Sequence, residues 1–230
     1  MKQYLIIGGS SGIGLALAEE LSKSNQVFAT FAKNEQSSST NLQYHFIDVL
    51  EENLDFSFLP EKIDGLVYCP GAINLKPFAR IKPSDFLQDY QLQVVGAVKV
   101  IQAVLPKLKL SEHPAIVLFS TVAVQTGFNF HSLVSSSKGA IEGLTKALAA
   151  EFSPKIRINC IAPSITDTPL AGTILSTPEK KEANAQRHPL KKIGSAQDIA
   201  NLASFLLTEQ SSWITGQILH IDGGISSLKI

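Results

Sequence analysis

The sequence has little of what extracellular or metal-bound frameworks are built from. Its two cysteines, Cys69 and Cys160, lie far apart, with no CxxC pair and no Cys/His spacing around either. That excludes a disulfide scaffold, argues against a metal site and fits a reduced, cytoplasmic compartment. No block of like charge occurs: 20 Lys and Arg balance 20 Asp and Glu, and no basic cluster offers a surface to a phosphate backbone. Nucleic acid is therefore not an expected partner, and a small ligand is. Long apolar runs are also missing. The opening MKQYLIIGGSSGIG starts with an apolar stretch too short to span a bilayer and without the h-region of a signal peptide. A soluble protein with no membrane partner is expected.

The low-hydrophobicity, high-charge bias of disordered chains is absent as well. At 44% hydrophobic and 17% charged, the 230 residues carry enough apolar surface for a sizeable core. Apolar runs at Tyr4–Ile7, Val27–Phe31, Tyr44–Ile47, Gly65–Cys69, Ala115–Phe119, Ile156–Ile161 and Ile218–Ile221 read as buried strands. Helix-period stretches separate them: Ile13–Lys23, Ser84–Lys107, Lys138–Phe152 and Ala196–Leu207. Continuous β-rich runs alternating with amphipathic helices are what a parallel sheet covered on both faces requires. Right-handed crossovers then give one α/β domain over residues 1–230, a doubly wound, Rossmann-like parallel sheet with helices on both faces.

Only KNEQSSSTN, residues 33–41, is of low complexity, and it reads as an exposed connection. The polar, helix-capable stretch Thr168–Pro189 breaks the strand–helix rhythm. After a strand's carboxyl end such an insert is expected to act as a substrate lid, at about residues 168–190.

Between the first strand and the first helix, IIGGSSGIG places glycines at 8, 9, 12 and 14. A pyrophosphate needs a tight turn, a backbone it can approach closely and a helix packed against its strand. The helix N-terminus then offers free N–H groups and a positive dipole, to which Ser10 and Ser11 add hydroxyls. A glycine-rich turn with no ligand is the plain alternative, and the strand–turn–helix context speaks against it. An NAD site usually carries an acidic residue about twenty positions further on. VFATFAKN has none there, and Lys33 stands ready for a 2′-phosphate. The bound dinucleotide is thus NADP or NAD, with NADP favoured; a solvated lysine at a loop start is the alternative reading of Lys33.

With these residues the chain resembles the short-chain dehydrogenase/reductase family over essentially its whole length. GGSSGIG is similar to that family's TGxxxGxG, with Ile7 in place of the Thr; Gly8, Ser10, Ser11, Gly12, Ile13 and Gly14 then hold the cofactor. In HFIDV, Asp48 and Val49 look like the pair that meets the adenine ring. YCPG, residues 68–71, stands where the family has NNAG and gives Gly71 a place beside the cofactor. IRINCIAPSITDTPL resembles the nicotinamide-lining segment, with Ser164 where glycine is usual and Thr168 at the threonine. ITGQILHIDGG resembles the C-terminal strand and turn.

The last absence is inside the catalytic set. The family pattern is Ser, then Tyr about thirteen residues on, then Lys four further, with an Asn on the preceding long helix. Here Thr121 takes the Ser position, Val134 the Tyr position and Gln93 the Asn position, and only Lys138 is unchanged. A tyrosine with a nearby ammonium gives up the proton that a developing alkoxide needs; valine has none to give. Three substitutes are conceivable. Ser135 is a weak acid on a short side chain, His131 lies seven residues before the lysine, and Tyr68 ends a strand that should face the cofactor, catalytically or packed over the adenosine or ribose. The resemblance implies for Lys138 a second role, hydrogen bonding to the nicotinamide ribose.

Two functions follow. One is an NAD(P)-dependent oxidoreductase of weak or altered activity, resembling 3-oxoacyl or small-ketone reductases, in which Thr121 and Lys138 act on a carbonyl or alcohol. The other is a catalytically inactive dinucleotide-binding protein, a sensor or oligomer partner. The resemblance also implies a homodimer or homotetramer built on the long helices, where Gly139, Ala140, Gly143 and Ala147 permit close approach.

Overall fold

The computed structural model describes residues 1–229. Nine strands and six α-helices lie along it. The strands are β1 (Gln3–Ile7), β2 (Gln26–Phe31), β3 (Leu42–Phe46), β4 (Gly65–Tyr68), β5 (Ala115–Phe119), β6 (Arg157–Pro163), β7 (Thr166–Asp167), β8 (Gly194–Ser195) and β9 (Ile218–Ile221). The helices are α1 (Gly12–Ser22), α2 (Pro83–Tyr90), α3 (Gly96–Lys109), α4 (Ser132–Phe152), α5 (Pro178–Gln186) and α6 (Ala196–Leu207). Seven strands form one parallel sheet in the order β3-β2-β1-β4-β5-β6-β9. The chain winds outward from β1 to β3, then crosses to β4 and winds the other way. Between β1 and β4 lies the reversal at whose carboxyl side such sheets bind ligands.

Every strand with two neighbours must bury both faces, and the side-chain period of two sorts the residues. In β1, Leu5 and Ile7 join one core with Leu66, Ile116, Leu118 and Ile158, while Tyr4 and Ile6 join the other with Val67, Val117 and Ile161. The first core is covered by α3 and α4 and the second by α1 and α6. Fully burying one such aliphatic side chain stabilises the fold by about 1.5–3 kcal/mol, so the sheet is held from both sides.

One expected element differs. Residues 84–107 do not form a continuous α-helix: Gln91–Val95 makes a π-turn between α2 and α3. Its cause is tertiary. A Cβ on Gly96 would lie 2.3 Å from the Tyr68 hydroxyl and 3.2 Å from Val49, so the helix reaches β4 only through glycine. The wider turn frees the Leu92 carbonyl, and Tyr68 Oη donates to it across 2.6 Å. Helix α4 begins at Ser132, which sets Lys138 in its second turn.

Candidate active site

At the carboxyl ends of β1, β4, β5 and β6 the loops enclose a largely apolar cavity of about 280 Å³. Its walls bring together residues the sequence places only in series: Ile13, Gly71, Gln93, Thr121, Val134, Lys138 and Thr168.

The phosphate loop explains its glycines by geometry. Gly8 and Gly12 have φ of +74° and +54°, in the left-handed region. A Cβ on Gly14 would lie 2.2 Å from the Gly8 carbonyl oxygen, and one on Gly9 would lie 2.7 Å from the Ala29 methyl. The loop is fastened to β2 by Gly8 N–H donating to Thr30 Oγ1 at 3.1 Å and Gly9 N–H donating to Thr30 O at 2.9 Å. Ser11 stands at the N-cap of α1 without capping it by its side chain, and Ser10 is buried beside it. Thr168 leans over the loop, its Cβ 3.3 Å from where a Gly12 Cβ would be. The cradle leaves main-chain N–H groups and a helix N-terminus open to an anion, so these residues fit a pyrophosphate.

Lys33 is exposed just beyond β2, and Gln36 Nε2 donates to the Ser10 carbonyl at 3.2 Å, which holds this connection against the phosphate loop. Val49 is buried in the core beside Gly96, leaving its backbone rather than its side chain for a ligand. The Asp48 carboxylate accepts from the Leu50 amide at 2.9 Å.

Lys138 is 9% exposed, and no carboxylate of the described residues lies within ion-pairing distance of it. Burial pulls its ammonium down to about 8, with Cys160, Asp89 and Cys69 opposing. Gly71 borders it: a Cβ there would stand 3.6 Å from Lys138 Nζ and 3.4 Å from Gln93 Oε1, both in ordinary contact. Gln93, carried by the π-turn, donates from Nε2 to buried Asp89 at 2.7 Å, and Ser137 donates to the same oxygen at 2.5 Å. Gln93 Oε1 and Asp89 Oδ1 are buried without protein partners. Buried polar atoms without partners are expensive, and an acceptor left open beside a lysine fits a hydroxylated ligand such as a ribose.

Val134 is 5% exposed and lines the cavity one turn before Lys138, with nothing acidic to offer. The substitutes fare differently. Tyr68 does not face the cofactor region: it is 3% exposed in the core, its hydroxyl is spent on Leu92, and burial raises its pKa beyond the usual phenol range. Ser135 donates to the Ala123 carbonyl at 3.0 Å. His131 lines the cavity, with Nδ1 2.8 Å from the Asn129 carbonyl. Thr121 accepts from the Ala123 amide at 3.3 Å, which leaves its hydroxyl hydrogen for the cavity.

The segment between β7 and β8 carries α5 and lines the cavity through Leu170, Ile174, Asn184, Arg187 and His188. Sequence reasoning passes over His188 and Asp89. Neither has a local signature, since His188 meets its partner Ser164 across 24 positions and Asp89 is buried only because α2 packs on α4.

No helix of the described residues is long and apolar enough to cross a membrane, and no cluster of three or more metal-ligating side chains occurs among them.

The family described as enoyl-(acyl carrier protein) reductase matches residues 8–226. A tropinone reductase homolog of Arabidopsis thaliana is 32% identical over 98% of this chain and 91% of its own. The 3-oxoacyl-[acyl-carrier-protein] reductase of Aquifex aeolicus is 29% identical over 97% of both chains. Among solved structures, ElxO with NADP bound is 30% identical, with a TM-score of 0.88 over 99% of each chain. The ligand-free aldohexose dehydrogenase of Thermoplasma acidophilum shares the fold at a TM-score of 0.88 and 24% identity, covering 99% of this chain and 95% of its own. The chain belongs to the short-chain dehydrogenase/reductase family.

Proposed function

We propose that this protein binds NADP in preference to NAD and reduces a small ketone or a 3-oxoacyl thioester, at a rate altered by the loss of the phenol at Val134. The observation that carries the reading is the meeting, on one cavity, of Ile13 from the phosphate loop and Thr168 beside that loop with Lys138 and Thr121. Gly8, Ser10, Ser11, Gly12, Ile13 and Gly14 hold the pyrophosphate, Lys33 the 2′-phosphate, and Asp48 and Val49 the adenine. Gly71, Thr168 and Lys138 hold the nicotinamide half, which supplies the hydride when bound. Thr121 orients the substrate oxygen. The apolar walls suit an uncharged carbonyl compound, or the alcohol in reverse, and residues 168–190 close over it as a lid.

Support for NADP comes from the basic Lys33, exposed at the start of a connection that Gln36 ties to the phosphate loop, and from the NADP-bound state of ElxO. Support for the substrate class comes from the relatives named above as reductases. The assembly is a cytoplasmic homodimer or homotetramer on α2, α3 and α4, where Leu87 is exposed and a Cβ on Gly143 would meet nothing.

Val134 favours a second reading, a dinucleotide-binding protein without reductase chemistry. Titration with NADPH and NADH by nicotinamide fluorescence, with Val134→Tyr in parallel, separates the two. Tighter NADPH binding together with carbonyl reduction by the unaltered chain supports the first reading. Binding with reduction only in the tyrosine variant supports the second. Absence of binding overturns both.

A further inference from the structure

Ser164 and His188 form a hydrogen-bonded pair assembled from distant segments. Ser164 directly follows β6, and His188 lies two residues beyond α5. Ser164 Oγ is 2.8 Å from His188 Nε2, and His188 Nδ1 is 2.8 Å from the Asn184 main-chain carbonyl. A carbonyl oxygen only accepts, so Nδ1 carries the hydrogen; in the neutral ring Nε2 is then bare and takes its hydrogen bond from the Ser164 hydroxyl. The ring is 3% exposed, and a Cβ on Gly223 would lie 3.4 Å from its Cδ2. A hydroxyl, a base in reach of it and a third group fixing the base are the parts of a proton-transfer site.

The pair also stands in a particular place. Both residues line the apolar cavity with Val134 and Lys138, and both line a second cavity of about 210 Å³. The second cavity is walled in part by Lys192, Asp198, Asn201 and Asp222. Arg187, Lys138, His131 and Cys69 are the other charged or titratable groups lining the first cavity, and Lys192, Asp198 and Asp222 are those lining the second.

We infer that Ser164 and His188 are a proton couple that stands in for the missing phenol, passing a proton to the substrate oxygen in the first cavity. This rests on the reductase reading. With hydrogens on both ring nitrogens, His188 donates Nε2–H to Ser164 Oγ and the serine hydrogen turns to the first cavity. As the carbonyl carbon gains hydride, the C=O π pair moves to oxygen. The Ser164 O–H bond breaks, its proton forms the alcohol O–H, and the serine oxygen takes the proton from His188 Nε2. One hydride and one proton are consumed, and no free serine alkoxide forms. Oxidation of an alcohol runs the same steps backward.

The first test needs no cofactor. Nitrogen-15 NMR of the histidine rings in the full chain is expected to show His188 as the neutral Nδ1–H tautomer, with its Nε2 resonance moved by Ser164→Ala. An Nε2–H tautomer, or a resonance indifferent to Ser164→Ala, overturns the couple. The second test follows NADPH oxidation with cyclohexanone and acetoacetyl-coenzyme A, with thermal melting to confirm folding. Ser164→Ala and His188→Gln are each expected to lower the rate about 10²-fold, the low end of general acid–base contributions, at unchanged NADPH affinity. In a Val134→Tyr background the same two substitutions are expected to cost little, because the phenol then supplies the proton. Equal losses in both backgrounds mark a structural role and overturn the proposal, as does full activity in both variants. NADPH binding with reduction only after Val134→Tyr overturns the couple and leaves the cofactor site standing; no NADPH binding overturns both.

Discussion

Tyr68 Oη donates to the Leu92 carbonyl across 2.6 Å, and this one bond closes the gap that the π-turn opens in the long helix. Removing the hydroxyl leaves a buried carbonyl without a partner, which costs about 1–3 kcal/mol. Tyr68→Phe is expected to lower the melting temperature. Gly96→Ala is expected to lower it further, because the new methyl would sit 2.3 Å from that same oxygen. The double variant is then less destabilised than the sum of the two, since a phenylalanine ring no longer carries the atom the methyl strikes. Additive losses in a double-mutant cycle of denaturant midpoints would show that the π-turn has another cause.

Gly14 stands closest of all the glycines to a neighbouring atom, its absent Cβ 2.2 Å from the Gly8 carbonyl. Gly14→Ala must push α1 off the phosphate loop, and the N–H groups aimed at the pyrophosphate move with it. The expected result is an NADPH affinity lower by about tenfold or more, each tenfold step corresponding to about 1.4 kcal/mol. Fluorescence titration reads it, and unchanged affinity in the folded variant removes the pyrophosphate from this loop.

How far the sequence foretells this arrangement depends on how local each cause is. Strand β5, AIVLF, is legible because a strand covered on both faces must be apolar throughout. The glycines are legible because close approach and positive φ leave no other residue. The π-turn at Gln91–Val95 is not, since its helical period runs on unbroken and its cause, Tyr68, sits on another element. Tyr68 itself reads wrongly toward the cofactor for the same reason: alternation along a strand gives two faces without saying which one meets a helix. The Ser164–His188 bond is invisible because only the return of the chain after α5 brings the two together.

Lys33 offers a direct test of cofactor choice. Its ammonium is exposed, so its attraction for a 2′-phosphate is that of a charge-assisted contact partly screened by salt. Lys33→Ala is expected to weaken NADPH binding by about tenfold while leaving NADH binding unchanged, the difference being about 1.4 kcal/mol. The NADPH loss should shrink as salt is raised. Equal weakening of both cofactors would assign the 2′-phosphate to other groups.

Lys138 is kept at a cost to the ligand-free fold, and the cost depends on pH. Its ammonium is pulled from 10.5 to about 8 by burial, so between those values the unfolded chain binds more protons than the folded one. Stability must therefore rise as pH rises through that window. Below pH 8 both states are charged and the whole penalty is present, about 3 kcal/mol at 1.36 kcal/mol per pKa unit. Above 10.5 both are neutral and it vanishes. Lys138→Met, which keeps the length of the side chain and removes the charge, is expected to melt higher than the unaltered protein at pH 7. That advantage should fade steadily toward pH 10. The same variant should lose dinucleotide binding, because the ammonium facing Gly71 and Gln93 is what a ribose would engage. Urea midpoints for both proteins across pH 7 to 10 decide the matter. A gap that stays constant with pH would mean that Lys138 remains charged and solvated in the folded state, and that its place in the cavity is not a strained one.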